Sequence, residues 1–459
     1  MSLNGLPQAS LSLLGDGSRA FFAGTSFSLS DVSYAQEEYL LSGSARAFQR
    51  ASGSLSPVEE AGFITRIIVI RPQDDDSFNG TVWIEWLNVS GGLDAAPGWI
   101  FTHTELIRTG AAWVGVSAQR IGVEGGDGLL GMKSPGLVGT NPARYGGLKH
   151  PGDRFSYDIF SQASMAARKG DGTILQGLPI DRLLAIGDSQ SAFRLTTYVN
   201  EFDPIFEVHD GFMIHARGGT SAPLDDAAAP SDILTGDPVL FREDLRVPVF
   251  CVEAETDLVN LRYLSARQEN SEKLTVWEIA GCAHADVYTF VAGSIDNGLL
   301  PIDKLARAWA PVSEIFGMKL NKPVNSGPQH YLRVAAMSHL DRWVRDGKSP
   351  PEAPRLEIRD GAFVKDSVGN VKGGVRTPHV DVPTAVLSGL GNGGHPISFL
   401  CGTTEPLDAE RLRALYKSPN DYLERFRAAT RSTADAGFVL DPDETEIVQI
   451  AELNSPLRK

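Results

Sequence analysis

Residues 182–199 constrain the fold more than any other stretch of the chain. Arg182-Leu183-Leu184-Ala185-Ile186 is an apolar run suited to burial on both faces of a parallel sheet, and Ala192 to Val199 has helical spacing. Between them lies Gly187-Asp188-Ser189-Gln190-Ser191. A serine at the apex of so sharp a strand-to-helix turn is held in a strained backbone conformation, with its Oγ exposed and the positive end of the helix facing whatever that oxygen meets. Small residues must flank the apex, because the helix backbone passes close to the strand. Gly187 meets that need; Ser191 stands where the usual pattern has a second glycine and meets it less well. The competing reading is an ordinary turn whose serine merely caps the helix.

A nucleophilic serine needs a histidine to take its proton and a carboxylate to orient that histidine. Two later strands supply candidates in the chain order Ser, Asp, His. Val247 to Val252 reads as a strand followed by Glu253-Ala254-Glu255-Thr256-Asp257, and Leu274 to Ile279 leads into Ala280-Gly281-Cys282-Ala283-His284-Ala285-Asp286. Type, order and placement just past a strand agree, which points to Ser189 and His284. The acid is expected at Asp257, with Glu255 as the alternative within reach. An oxyanion would need two preorganised N–H donors. Gln190, at the start of the helix, offers one; Val89 or Ser90, in the glycine-containing loop after the strand Val82 to Leu87, offers the other.

The strings Trp86-Leu87-Asn88-Val89-Ser90-Gly91-Gly92, His150-Pro151-Gly152-Asp153 leading to Phe155 to Gln162, Gly187 to Ser191, and Glu255-Thr256-Asp257 with Gly281 to Asp286 resemble a bacterial α/β-hydrolase-domain family whose members are treated as carboxylesterase-like. The likeness extends into the tail around Pro378 to Pro383. It implies an α/β-hydrolase fold and a serine hydrolase mechanism without implying a substrate, since this fold hosts many chemistries.

With 459 residues, 42% hydrophobic and 22% charged, the chain suits a large ordered α/β domain with insertions. Its net charge of −15 argues against nucleic acid or an anionic membrane as a bulk electrostatic partner. No apolar run approaches a membrane span, and Met1 to Gly5 opens no secretory signal, so a cytoplasmic location is expected. The three cysteines, Cys251, Cys282 and Cys401, show no CxxC spacing and are expected as buried apolar residues, with a Cys251–Cys282 disulfide as the other possibility. The scattered histidines include no HExxH pattern, and no GxGxxG opens a helix after the first strand, so neither a metal nor another cofactor is expected. His209 and His215 are expected to be structural.

The expected architecture is a mostly parallel, doubly wound sheet with antiparallel strands before residue 60 and a strong strand at Phe63 to Ile70. Residues 1–348 form the core, with a lid-like insertion at about 217–245 and a second insertion at about 286–327. An extension, 349–459, packs on the core. Helices are expected at Trp99 to Thr109, Tyr157 to Lys169, Gln329 to Arg345, Asp408 to Leu415 and Asp421 to Ala434. The glycine-rich stretch from Gly122 to Gly147 is expected as a pocket-lining loop, and Asn88, Trp86, His150 and Tyr157 as possible pocket residues. The function expected is hydrolysis of a small, apolar carboxylic ester. Acyl transfer, lactone opening and amide hydrolysis share the same first step, and an inactive binding module is the reading from another class. The sequence gives no oligomeric state.

Overall fold

The computed structural model describes residues 6–14, 24–51, 53–128, 133–169, 174–225 and 235–458. Nine strands form the main sheet: β1 (Ser10–Leu13), β2 (Tyr34–Ala51), β3 (Ser54–Pro72), β4 (Thr81–Trp86), β5 (Ala112–Val116), β6 (Arg182–Asp188), β7 (Gly211–His215), β8 (Val249–Ala254) and β9 (Leu274–Ile279). Their order is β1-β2-β3-β5-β4-β6-β7-β8-β9. From β5 to β9 every pairing is parallel; β1, β2 and β3 join antiparallel. The mostly parallel sheet with antiparallel N-terminal strands is therefore as expected, and the order reverses between β5 and β6, where β4 lies between them. In such sheets, ligands bind beyond the carboxyl ends of the strands near that reversal.

Burial on both sides explains why the parallel strands read as continuous apolar runs. Leu184 and Ile186 pack in one cluster with Trp99 and Tyr331, whereas Leu183 and Ala185 pack in another with Phe160 and Leu195. Helices α1 (Pro97–Thr109) and α5 (Gln329–Asp346) belong to the first face; α2 (Ser156–Lys169) and α3 (Gln190–Thr197) belong to the second. The intervening helix α4 (Glu255–Val259) follows β8 directly. Glu85, pointing from β4 into the first face, accepts the Gly98 and Trp99 N–H groups and Trp113 Nε1, each at 2.9 Å. One buried carboxyl thus serves the free amides at the start of α1, although burial pushes it up to about 8.

The tail after Ser349 returns to the sheet. Val375 extends the ladder beyond β9, donating to Glu278 O at 2.7 Å and accepting from Ala280 N at 3.1 Å. Ala385–Ser388 and Thr403–Pro406 form an antiparallel pair. Helices α6 (Pro419–Asp435) and α7 (Glu444–Leu453) put Tyr422, Phe426 and Ile447 into the cluster that contains Tyr331.

Several sequence expectations change. The 122–147 stretch is not an open loop: its described residues include short helices at Arg120–Glu124, Gly136–Thr140 and Pro142–Tyr145, with Val123, Leu137 and Tyr145 buried against Leu40 and Ile64. The N-terminal strands are far longer than the apolar run suggested, because β2 and β3 pair along their whole length with a shift at Ala47/Phe48. All three cysteines are buried free thiols, as expected, and Cys251 and Cys282 form no disulfide. Among the described residues no helix is long and apolar enough to cross a membrane.

Candidate active site

Ser189 lies between β6 and α3 with φ 56° and ψ −118°. A non-glycine residue holds such a conformation only where its surroundings over-determine it. Here the Ser189 N–H donates to His215 O at 3.0 Å, and Asn88 Nδ2 donates to Asp188 O at 2.8 Å. A Cβ on Gly187 would lie 2.9 Å from both Ser191 O and Leu195 Cδ1, so the close approach requires glycine there. Ser191 fits where glycine is usual because its hydroxyl folds back. The Asp188 N–H donates to Ser191 Oγ, and that hydroxyl lies against Asp188 O, both at 2.9 Å.

Beneath the turn, the Asp188 carboxylate pairs with Arg333 of α5 and lies 3.7 Å from His215 Nδ1. Burial raises the Asp188 pKa, but Arg333 and His215 outweigh it and hold it below the ordinary value. Burial, then Arg333, push His215 down to about 4, so it sits neutral. The guanidinium of Arg333 also lies 3.8 Å from the centre of the Phe101 ring. Sequence reading missed Arg333: nothing local marks a helix arginine more than a hundred residues downstream as the partner of the elbow.

His284 follows β9. Its Nε2 lies 2.8 Å from Ser189 Oγ and its Nδ1 lies 2.6 Å from Asp257 Oδ1. The other Asp257 oxygen accepts the Ala254 N–H at 2.6 Å. The three acids of this segment therefore face three ways. Asp257 meets the histidine. Glu255 does not reach it: its oxygens accept the Gly281 N–H at 2.6 Å and the Gly389 N–H at 2.8 Å. Burial pushes Glu255 up to about 7. Glu253 has both oxygens buried without a partner among the described residues, and burial, reinforced by Asp257, pushes it well above the carboxylate range.

The amide of Gln190 is the first of α3 and has no intrahelical carbonyl to bond. The Val89 N–H points to Gln190 Oε1 at 3.3 Å, and the Ser90 N–H to Asn88 Oδ1 at 2.8 Å. Gln190 Nε2 in turn donates to Gln119 Oε1 at 2.9 Å, and Gln119 Nε2 to Asp153 Oδ2 at 2.9 Å. Arg194 pairs with the same Asp153 oxygen at 3.0 Å. This chain of bonds ties the loop after β4 to the nucleophile helix, and it gives Asp153 of the His150-Pro151-Gly152-Asp153 string a place in the structure.

A cavity of about 490 Å³ opens beside Ser189 and His284. Asn88, Ser90 and Gln190 line it, as do Ile100, Phe101 and Phe193. Thr289, Phe290 and Phe316 come from the 286–327 segment, and Pro396, Ile397, Phe399 and Leu400 from the tail. No lysine or arginine is among the described lining residues.

Three pocket expectations fail. Trp86 is buried, donating to Gln119 Oε1 at 3.1 Å. His150 is buried with Nε2 2.9 Å from Ala118 O and Nδ1 accepting the Gly152 N–H at 3.2 Å. Tyr157 stacks on Phe202 and donates to Pro223 O at 2.9 Å. Each is a buried group with its polar atoms bonded in the interior, and none lines the cavity. Of the 217–245 segment, 226–234 lie outside the described residues. The described remainder does not line the cavity; Ala222 bonds Phe193 O at 3.1 Å, and Arg217 packs over Phe241. His209, as expected, is a core group bonded to Ser164 Oγ at 2.9 Å. Among the described residues no cluster could hold a metal ion.

A family model described as an alpha/beta hydrolase domain matches residues 9–449. Similar solved structures include one of the esterases from the fungus Rhizomucor miehei, 12% identical over 67% of this chain and 85% of that one, with a TM-score of 0.31. A glucuronoyl esterase from Teredinibacter turnerae is 11% identical over 57% and 67% of the two chains, with a TM-score of 0.29. An α/β serine hydrolase without a lid from Xanthomonas campestris is 12% identical over 47% and 78%, with a TM-score of 0.28. None of these overlaps is close enough to transfer an activity. Among curated protein sequences none matches significantly.

Proposed function

Because the chain belongs to the α/β hydrolase domain family, we propose that it is a serine hydrolase that cleaves small, uncharged carboxylic esters. The observation that carries this reading is the unbroken line from Asp257 through His284 to Ser189, at 2.6 and 2.8 Å, opening onto an apolar cavity. His284 takes the Ser189 proton as Oγ attacks the ester carbonyl. Asp257 holds Nδ1 protonated, so that Nε2 is the basic nitrogen. The Gln190 amide, with Val89 or Ser90 after a small shift of the side chains now on them, receives the oxyanion. His284 then protonates the leaving alcohol, and a water activated by the same imidazole releases the acid from Ser189.

The lining supports the substrate class. A cavity walled by aromatic and aliphatic groups, without a cationic side chain among its described lining, desolvates a neutral ester more cheaply than one carrying a free carboxylate. Incubation with a fluorophosphonate, followed by peptide mass spectrometry, tests the mechanism. An adduct on Ser189 that is lost in His284→Ala is expected. A folded protein left unlabelled would overturn the reading and favour a binding module.

A further inference from the structure

One residue of the tail touches both turns that carry the partners of Ser189. The Gly389 N–H donates to Glu255 Oε2 at 2.8 Å, and its carbonyl accepts from Thr256 Oγ1 at 2.6 Å. The same two side chains reach the histidine turn, where Glu255 Oε1 accepts the Gly281 N–H at 2.6 Å and Thr256 Oγ1 accepts the His284 N–H at 3.1 Å. Asp257 is the next residue after Thr256. A Cβ on Gly389 would stand 2.6 Å from Cys282 O, 2.6 Å from Glu255 Cβ and 2.7 Å from Thr256 N. Two of those atoms are backbone and cannot move without displacing the turns themselves.

Neighbouring bonds run the same way. Ala285 N donates to Leu400 O at 3.0 Å, and Asn325 Nδ2 bridges Gly281 O and Ser388 O at 3.0 Å each. The backbone of the histidine turn is therefore bonded to the tail, or to side chains that the tail also holds.

We propose that the tail segment 388–401 is part of the catalytic apparatus, and that Gly389 and Glu255 are positioning residues that fix His284 and Asp257 against Ser189. The proposal rests on the serine-hydrolase reading. The two Glu255 oxygens each accept a backbone N–H, which a carboxylate does well and an amide can do on one side only. Loss of either bond frees the histidine turn, and displacement by about 1 Å costs on the order of 10²-fold in rate.

The test uses the full chain carrying Gly389→Ala or Glu255→Gln, with kcat and KM for 4-nitrophenyl butyrate, the rate of fluorophosphonate labelling, and the melting temperature. Expected are a kcat lower by ~10²-fold, labelling slowed in proportion, and KM within about twofold, because neither residue lines the cavity. Arg431→Ala, on the exposed face of α6, should leave all three unchanged. Full kcat in the folded variants would overturn the proposal, as would a raised KM with kcat intact. If Gly389→Ala does not fold, Glu255→Gln decides alone. Absence of labelling in the unaltered chain would remove the serine-hydrolase reading and this proposal with it.

Discussion

The turn under Ser189 takes its bonds from the sheet and its immediate crossovers: His215 O, Asn88 Nδ2 and Ser191 Oγ, with Arg333 reaching in from α5. The turn under His284 takes its bonds from α4, from Asn325 and from the tail residues Val375 and Leu400. The Ser189 and His284 side chains meet at 2.8 Å, but the first turn is held from within the sheet and the helices packed on it, and the second also by the tail, a hundred residues further on. The sheet and its packed helices supply every bond that over-determines the strained φ of Ser189. A histidine on a longer turn has many more backbone groups to satisfy, and distant chain must satisfy them.

The largest expected effect leaves that contrast aside and removes the chemistry itself. Ser189→Ala should lower kcat by ~10⁵-fold or more without unfolding the chain, measured with enzyme free of wild-type carry-over. Asp257→Asn should cost ~10⁴-fold, because it offers His284 the wrong tautomer. Glu255→Gln should cost far less, on the order of 10²-fold; the reverse ranking would move the acid and undo the assignment of Glu255 to the tail. Phe399→Ala, in the tail but at the cavity wall, should instead raise KM severalfold for esters with bulky apolar groups and leave kcat nearly unchanged. A kcat loss there comparable to that in Gly389→Ala would merge two contributions that the geometry keeps apart.

The smallest effect compares the two sides by their buried carboxyls. Burial pushes Glu85, below the nucleophile strand, up to about 8, and Glu255 and Glu446 up to about 7. Burial pushes His215, His330 and His379 down to about 4 from 6.5. From about pH 7.5 upward these histidines are neutral whether folded or not, while the folded chain keeps carboxyl protons that the unfolded chain has lost. The folded state binds more protons, so stability falls as pH rises through that window. Below it, the histidines oppose the trend. The melting temperature should therefore decline from about pH 7.5 to 8.5, and both Glu85→Gln and Glu255→Gln should flatten the slope. A flat profile in the unaltered chain would show that neither side carries the strain assigned to it.

The same contrast sets how much could be read from the sequence. The elbow was legible because strand, glycine and helix signals sit within eighteen residues, and β9 was found at its true bounds because a buried parallel strand is an uninterrupted apolar run. The chain order of Ser189, Asp257 and His284 was legible from strand ends alone. Spacing favours Asp257 but leaves Glu255 open, since three acids share one strand end and the Gly389 N–H that engages Glu255 lies far along the chain. Trp86, His150 and Tyr157 read as pocket residues in the sequence because a strand end, a loop and a helix start beside the elbow give no sign that their side chains turn into the interior instead. Phe316 left no signal at all: it stands 79% exposed at a hairpin tip, φ 50°, against Phe290 at the cavity.

The position of Gly389 also orders events in time. A chain made at about 5–20 residues per second presents the sheet and the Ser189 turn well before the residues that brace His284 have been synthesised. On the proposed reading, the candidate nucleophile is built early and its partners are aligned late. If the tail aligns the site as proposed, a nascent chain stalled anywhere before residue 389 would carry Ser189, Asp257 and His284 and still lack the strap that holds the last two in place.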